Sequence, residues 1–154
     1  YVRRSEKPLP LLIADLGEQP AEAILREIGE PRLRGMLRLA GYIPNSDLPA
    51  IYNRASAFLY TSLRESFGIP QLEAMACGTP VVTSATSAIP EVAGEGAILV
   101  DPTDPKAIAD ALLRLETDAA FRARQVAYGL DRVKQFSWEK TARHLLTLYE
   151  SLGK

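Results

Sequence analysis

Two glutamates, Glu65 and Glu73, flank a segment whose residue types could do chemistry within the stretch ESFGIPQLEAMACGTPVVTS, residues 65–84. Gly68 allows the backbone to approach a ligand closely, and Pro70 is compatible with the first turn of a helix. The free N–H groups at about 67–71 and the helix dipole favour an anion, worth about 0.3–2 kcal/mol for a charge at this end. This pattern therefore predicts a phosphate site.

The two carboxylates indicate a second kind of ligand group, because they would repel a phosphate. Carboxylates are strong acceptors for hydroxyl groups. Glu65 could accept bonds from a sugar, and Glu73 from a ribose, so the pair favours a nucleotide-sugar. The spacing alone leaves another interpretation open, in which Glu73 only stabilises the helix N-terminus and Glu65 is a solvated loop residue.

Short apolar runs alternate with helical patterns along the chain and predict a doubly wound, three-layer, Rossmann-like α/β fold with a parallel sheet. The predicted strands are 9–14, 36–40, 57–61, 80–83 and 97–100. The predicted helices are 20–29 with Pro20 at its first position, 46–54 capped by Asn45 or Ser46, 69–77, one from Pro105, 118–135, and one after Ser137. Ligands of such sheets bind beyond the carboxyl ends of the strands, where the loop after strand 57–61 lies.

Composition excludes several classes of function. The chain has 154 residues and a net charge of −1 with scattered basic residues, which indicates a single domain without a nucleic-acid footprint. A single cysteine, Cys77, excludes an internal disulfide and fits a reducing compartment, so we expect a cytoplasmic protein. The sequence has no apolar run of the roughly 20 residues that a membrane span needs.

Three other features have simpler interpretations than a second site. Asp101 and Asp104 could hold a metal, but the prolines beside them favour turn and capping roles, with Thr103 or Asp104 as the cap. His144, the single histidine, is predicted to be structural or solvated, and no Cys–His cluster indicates zinc. The apolar face of the last helix is either core or a surface for a second domain; its residues are Trp138, Ala142, Leu145, Tyr149 and Leu152.

At residues 65–82 the chain resembles the retaining glycosyltransferases of the two-Rossmann-domain (GT-B) type, family four or group 1. Their pattern is E-G-F-G-[LI]-P-x-L-E-A-M-A-C-G-T-P-V-V, and only Ser66 departs from it, where glycine is usual. The segments GYIPNSDLPAIYNRASAFLYTS and SAIPEVAGEGAILVDPTDPKAIADAL are also similar to the family, so the match covers nearly the whole chain. The second of these segments resembles bacterial mannosyltransferases.

The resemblance implies a role for each matching residue. Glu65 would be the catalytic residue that faces the donor sugar, and Glu73 would hold the ribose. Backbone N–H groups would contact the sugar and the diphosphate at Ser66, Phe67, Gly68 and Ile69. Tyr42 and Ile43 would seat the base, although Tyr42 could equally be a packed surface aromatic. The family requires no metal, so a GDP- or UDP-sugar would be the donor, with no cofactor.

The resemblance also implies parts that this sequence does not supply. Residues 1–154 correspond to the C-terminal, donor-binding domain without its first strand, without the Arg and Lys that clamp the diphosphate, and without the N-terminal acceptor domain. Arg3 and Arg4 do not match that clamp. The acceptor, a glycan or lipid-linked sugar, and any peripheral membrane association would belong to the missing half.

Two other functions are compatible with the sequence. One is a domain that binds nucleotides or partners without catalysis. The other is a different GT-B enzyme such as a sugar epimerase, against which the motif of residues 65–82 argues.

Overall fold

Parallel strands connected by helices form the α/β architecture that the sequence predicts. The computed structural model describes residues 1–153. In this range the strands are β1 (Leu11–Ala14), β2 (Leu37–Gly41), β3 (Phe58–Tyr60), β4 (Val81–Ser84) and β5 (Ala97–Val100). The α-helices in the same range are α1 (Glu18–Glu27), α2 (Leu48–Arg54), α3 (Ile69–Ala76), α4 (Ile89–Ala93), α5 (Pro105–Thr117), α6 (Ala119–Val133) and α7 (Trp138–Leu152).

The described residues divide into two compact units, of which the first is Tyr1–Ile51. In this unit β1 pairs with β2 in parallel, with Leu11 opposite Leu37 and Ile13 opposite Leu39. A 3₁₀ helix at Pro31–Met36 precedes β2. The Arg34 guanidinium pairs with the Glu18 carboxylate, which ties this 3₁₀ helix to α1.

The second unit begins at Tyr52 and contains the sheet in which β4 lies between β3 and β5, all parallel. All four residues of β4 are buried, as expected for a central parallel strand covered on both faces. One side of this sheet packs under α5 and α6 through a buried cluster that consists of Val82, Val100, Ala111, Leu115 and Phe121. Burial of these apolar side chains is the main stabilising contribution to this unit.

Two glycines with a left-handed backbone flank helix α3: Gly68, its N-cap, at φ +84° and Gly78, two residues after its last residue, at φ +71°. Its inner face buries Ala74 and Met75. Met75 also packs beside α6, where a Cβ placed on Gly129 would come within 3.2 Å of the Met75 Cγ atom. A glycine at position 129 therefore allows α3 to lie close to α6, which fixes the helix that starts beside the predicted ligand loop.

Most predicted boundaries differ from the structure by one or two residues, and three short elements lie outside the predicted set, the third being a 3₁₀ helix at Gly94–Gly96. Helix α1 starts at Glu18, so Pro20 is its third residue rather than its first. Helix α2 starts at Leu48, so Asp47 precedes it instead of the predicted cap residues Asn45 or Ser46. Helix α4 and the 3₁₀ helix at Pro31–Met36 were not predicted, because they are too short to show a helical apolar period.

The capping interpretation of the aspartates is confirmed. The Asp104 carboxylate accepts hydrogen bonds from the N–H groups of Lys106 at 2.8 Å and Ala107 at 3.1 Å, at the start of α5. The Asp101 carboxylate accepts from the N–H and hydroxyl groups of Thr103, at 2.8 and 2.7 Å, and these bonds lower its pKa. Both carboxylates therefore have local partners that explain their presence.

Helix α7 does not contribute to a core, which corrects one of the two interpretations of its apolar face. Every residue of α7 is exposed, His144 included, and 82% of the Trp138 surface is accessible. The helix begins at Ser137, whose hydroxyl oxygen accepts from the Lys140 N–H at 3.1 Å. A surface for a second domain remains a prediction for this face.

Candidate functional site

The candidate site lies at the carboxyl end of β3, where the chain crosses to α3 through residues 61–68. Gly68 occupies the helix N-cap position in the left-handed region, which glycine adopts without strain. A Cβ at this position would lie 2.9 Å from Nε2 of Gln71 and 3.4 Å from a ring carbon of Tyr60. The backbone angle therefore favours glycine here, and a Cβ would in addition displace the end of the Gln71 side chain.

The start of α3 offers fewer donors than the sequence indicated. Of the predicted positions 67–71, Pro70 has no N–H group, and the Gln71 N–H donates to the Gly68 carbonyl at 3.3 Å. The backbone N–H groups of Phe67, Gly68 and Ile69 are the ones left to meet an anion at this helix end. The candidate anion site therefore has three backbone N–H donors, fewer than the sequence predicted. It still combines these donors with the helix dipole.

The Glu65 carboxylate accepts a hydrogen bond from the side chain of a tyrosine. The Tyr60 hydroxyl, at the end of β3, donates to the Oε1 atom of Glu65 over 2.6 Å. This hydrogen bond, with a second from the Ser62 side chain, lowers the pKa of Glu65. Burial, and then the bond to Glu65, raises the pKa of Tyr60. Glu65 is therefore an ionised hydrogen-bond acceptor at neutral pH.

Glu73 has a similar partner. The Tyr52 hydroxyl, on α2, donates to the Oε2 atom of Glu73 over 3.3 Å. Burial and the nearby Glu73 carboxylate raise the pKa of Tyr52 to about 12. Each glutamate of the motif thus accepts a hydrogen bond from a tyrosine.

An aromatic row joins these two tyrosines. The Tyr52 and Phe58 rings meet edge to face with centroids 5.2 Å apart, and the Phe58 and Tyr60 rings stack at 5.8 Å. Such ring pairs contribute about 0.5–1.5 kcal/mol beyond the area they bury. The phenols that hold Glu65 and Glu73 therefore belong to one packed assembly built on α2 and β3.

The remaining predicted residues lie in two places. Ser66, Phe67 and Ile69 are exposed in the loop and first turn, and the Phe67 ring packs edge to face on Phe136 at 5.7 Å. Tyr42 and Ile43 follow β2 in the first unit. Tyr42 is 78% exposed, so the packed-surface interpretation of this ring is wrong.

Three residues of the site were not predicted from the sequence: Tyr52, Tyr60 and Gln71. Gln71 is fully buried beneath the loop, and its side-chain N–H donates to the Phe67 carbonyl at 3.3 Å. A glutamine inside the first turn of a helix that is apolar except for Glu73 was a visible signal. The tyrosines gave none, since an aromatic residue in a strand or short helix is usually core.

Within residues 1–153, His, Cys, Asp and Glu side chains form no group of three or more that could hold a metal ion. No helix in this range has the length and apolarity to cross a membrane.

Comparison with known proteins identifies the family. The model of the family described as "Glycosyl transferases group 1" matches residues 2–132. The chain belongs to this family. The match includes both units and the whole of the Glu65–Glu73 segment.

Individual relatives agree with this assignment. The chain is 36% identical over 143 residues to O-antigen chain mannosyltransferase B of Escherichia coli, across 93% of this chain and 38% of that protein. Sucrose-phosphate synthase from Thermosynechococcus elongatus has a similar structure, with a TM-score of 0.79 and 30% identity over 92% of this chain and 38% of that one. HepE from Anabaena, in complex with UDP, shares the fold at 20% identity, with a TM-score of 0.80 over 93% of this chain and 41% of that one. The chain thus spans about two-fifths of the length of these proteins.

The raised pKa of Tyr52 predicts a loss of stability at alkaline pH. A folded-state pKa of about 12, against the ordinary 10.0, stabilises the fold fully below pH 10, and this contribution is lost as the pH rises towards 12. Tyr52→Phe should therefore remove on the order of 1 kcal/mol of the stability difference between pH 8 and pH 11. Urea unfolding at the two pH values measures this difference.

Tyr128→Phe is the matched control, because Tyr128 lies half-exposed on α6. This variant should show the same alkaline loss as the wild type. An unchanged loss in Tyr52→Phe would contradict the account of the Tyr52–Glu73 pair.

Proposed function

We propose that this chain is the donor-binding half of a retaining glycosyltransferase that transfers a hexose from a nucleoside-diphosphate sugar to an acceptor. The observation that carries the proposal is the α3 N-terminus with a tyrosine-held glutamate on each side. Free N–H groups at 67–69 meet the diphosphate. Glu65 lies in the loop before them, and Glu73 lies one turn into the helix.

Each part of a nucleoside-diphosphate sugar suits a different group of this site. Backbone N–H groups and a helix dipole favour the negative diphosphate. An ionised carboxylate favours hydroxyl donors, so Glu65 binds the hexose and Glu73 binds the ribose. Ser66, Phe67, Gly68 and Ile69 supply backbone contacts, and the assignment of Tyr42 and Ile43 to the base rests on the resemblance alone. HepE, which has the same fold, is known with UDP and with UDP-glucose, and the E. coli relative is a mannosyltransferase.

Transfer with retention requires that the leaving diphosphate is stabilised while the acceptor approaches from the same face of the sugar. Electrostatic stabilisation of the departing charge is usually the largest contribution to such catalysis. The α3 N-terminus provides part of it, and Glu65 holds the sugar. The acceptor, a glycan or lipid-linked sugar, binds to another part of the whole enzyme. That enzyme works in the cytoplasm, with peripheral membrane association, and needs no metal or other cofactor.

Calorimetry on the 154-residue chain tests donor binding, with UDP-glucose, GDP-mannose, UDP and GDP as ligands. We expect saturable binding of at least one nucleotide-sugar, with a higher affinity than for the corresponding free nucleoside diphosphate. We also expect no sugar transfer by this chain alone. Binding of nucleoside diphosphates with no gain from the sugar would favour a non-catalytic nucleotide-binding domain. The absence of any saturable binding, or robust transfer by the chain alone, would contradict the proposal.

A further inference from the structure

A series of hydroxyl groups fastens the loop that carries Glu65. Side chains of β4 and of the segment after it donate to successive backbone carbonyls of β3 and the following loop. We call this series the hydroxyl ladder: Thr83 to Tyr60 at 3.0 Å, Ser84 to Ser62 at 2.6 Å, Thr86 to Leu63 at 3.3 Å, and Ser87 to Glu65 at 2.7 Å. The ladder extends the strand pairing of β3 with β4 beyond the ends of both strands.

Its last member, Ser87, makes two bonds to one residue. The Ser87 hydroxyl donates to the Glu65 carbonyl, and its oxygen also accepts from the Glu65 N–H at 3.2 Å. These bonds satisfy both backbone groups of Glu65 with a single side chain. Position 87 therefore holds the Glu65 backbone from a different segment of the chain.

Ser87 also has an unfavourable backbone. Its φ is +58°, in the left-handed region that favours glycine. A serine at a position that suits glycine indicates that the hydroxyl contributes something that offsets the strain. Strained residues of this kind concentrate at functional sites, where the surrounding structure holds them in place.

We propose that Ser87 is a positioning residue for Glu65. Its hydroxyl fixes the Glu65 backbone, and this places the carboxylate within reach of the Tyr60 hydroxyl. Two anchors on different elements, the segment after β4 and the end of β3, then define one arrangement of the Glu65 side chain. A preorganised acceptor binds its ligand without first losing rotamer freedom.

The consequence for ligand binding rests on the proposed function, whereas the placement of Glu65 does not. The titratable groups in this set are Glu65, Tyr60 and, next along the aromatic row, Tyr52. Loss of the Ser87 hydroxyl should loosen the loop and weaken the Tyr60–Glu65 bond. The Glu65 pKa should then rise towards its ordinary value, and the Tyr60 pKa should fall.

Two variants and one control test the proposal. Ser87→Gly removes the hydroxyl and relieves the backbone strain, and Ser87→Ala removes the hydroxyl but keeps the Cβ atom. Ser151→Ala is the control, because Ser151 is an exposed residue on α7 whose hydroxyl bonds only within its own helix. NMR follows the Glu65 carboxyl pKa and the hydrogen exchange of the Glu65 amide, and calorimetry follows nucleotide-sugar binding.

Both Ser87 variants should raise the Glu65 pKa and speed exchange of its amide, and Ser151→Ala should change neither. Affinity for the nucleotide-sugar should fall on the order of two- to tenfold, as for the loss of one hydrogen bond. An unchanged Glu65 pKa and amide exchange in a folded Ser87→Gly protein would overturn the proposal. If the Glu65 pKa and amide exchange change in the Ser87 variants while the wild type binds no nucleotide-sugar, the positioning role of Ser87 is supported and the proposed function is wrong.

Discussion

Glu65→Gln is expected to weaken binding of the nucleotide-sugar roughly three- to tenfold while leaving the affinity for the free nucleoside diphosphate unchanged. The amide keeps the shape of the side chain and can still accept from Tyr60. It replaces a charge-assisted hydrogen bond to the hexose by a neutral one, which is about half as strong. Calorimetry with UDP-glucose against UDP, and with GDP-mannose against GDP, measures the difference.

Glu73→Gln distinguishes the two carboxylates. Because Glu73 is assigned to the ribose, this variant should weaken the free nucleoside diphosphate and the nucleotide-sugar by the same factor. Glu150→Gln, an exposed change on α7, should alter neither affinity. If Glu65→Gln weakened binding of the nucleotide-sugar and of the free nucleoside diphosphate equally, the assignment of Glu65 to the hexose would be wrong.

Gly68→Ala is expected to destabilise the protein by about 1–3 kcal/mol and to remove most of its donor binding. Alanine at this position would have to adopt a left-handed backbone at φ +84°, which is strained for any residue with a Cβ atom. Its Cβ would also lie 2.9 Å from Nε2 of the buried Gln71. Relief of that contact must displace either the start of α3 or the glutamine beneath it. Urea unfolding measures the free energy, and calorimetry measures the binding.

Gly35→Ala supplies the control for this change. A Cβ at position 35 meets nothing within 4 Å, and its backbone has no strained angle. It should alter stability by well under about 1 kcal/mol and leave binding intact. A Gly68→Ala protein as stable as Gly35→Ala would show that the loop does not need glycine there.

The order of strands and helices could be predicted because apolar runs and capping residues are local signals. Strand β5 has the same limits in the prediction and in the structure, and α7 begins directly after its Ser137 cap. The Glu65–Glu73 segment was also recognisable, because residues 65–82 match the family pattern at every position except Ser66. These features depend on residues that are close together in the sequence.

The support of the site could not be predicted, because it depends on contacts between distant segments. Tyr52 reaches Glu73 across 21 positions of the sequence, and Ser87 reaches Glu65 across 22. Neither a tyrosine nor a serine indicates by its type which distant residue its hydroxyl will bond to. The exposure of α7 was likewise undetermined, because an apolar helix face has the same period whether it packs in a core or meets another surface.

Titration of the ¹⁵N-labelled chain with UDP-glucose and GDP-mannose tests the central claim, that residues 65–73 form a donor site, most directly. We predict saturable shifts of the backbone amides of Phe67, Gly68 and Ile69, with further changes at Glu65 and Glu73, for at least one of the two ligands. Saturable shifts confined to other parts of the chain, or no saturable shift with either ligand, would contradict it.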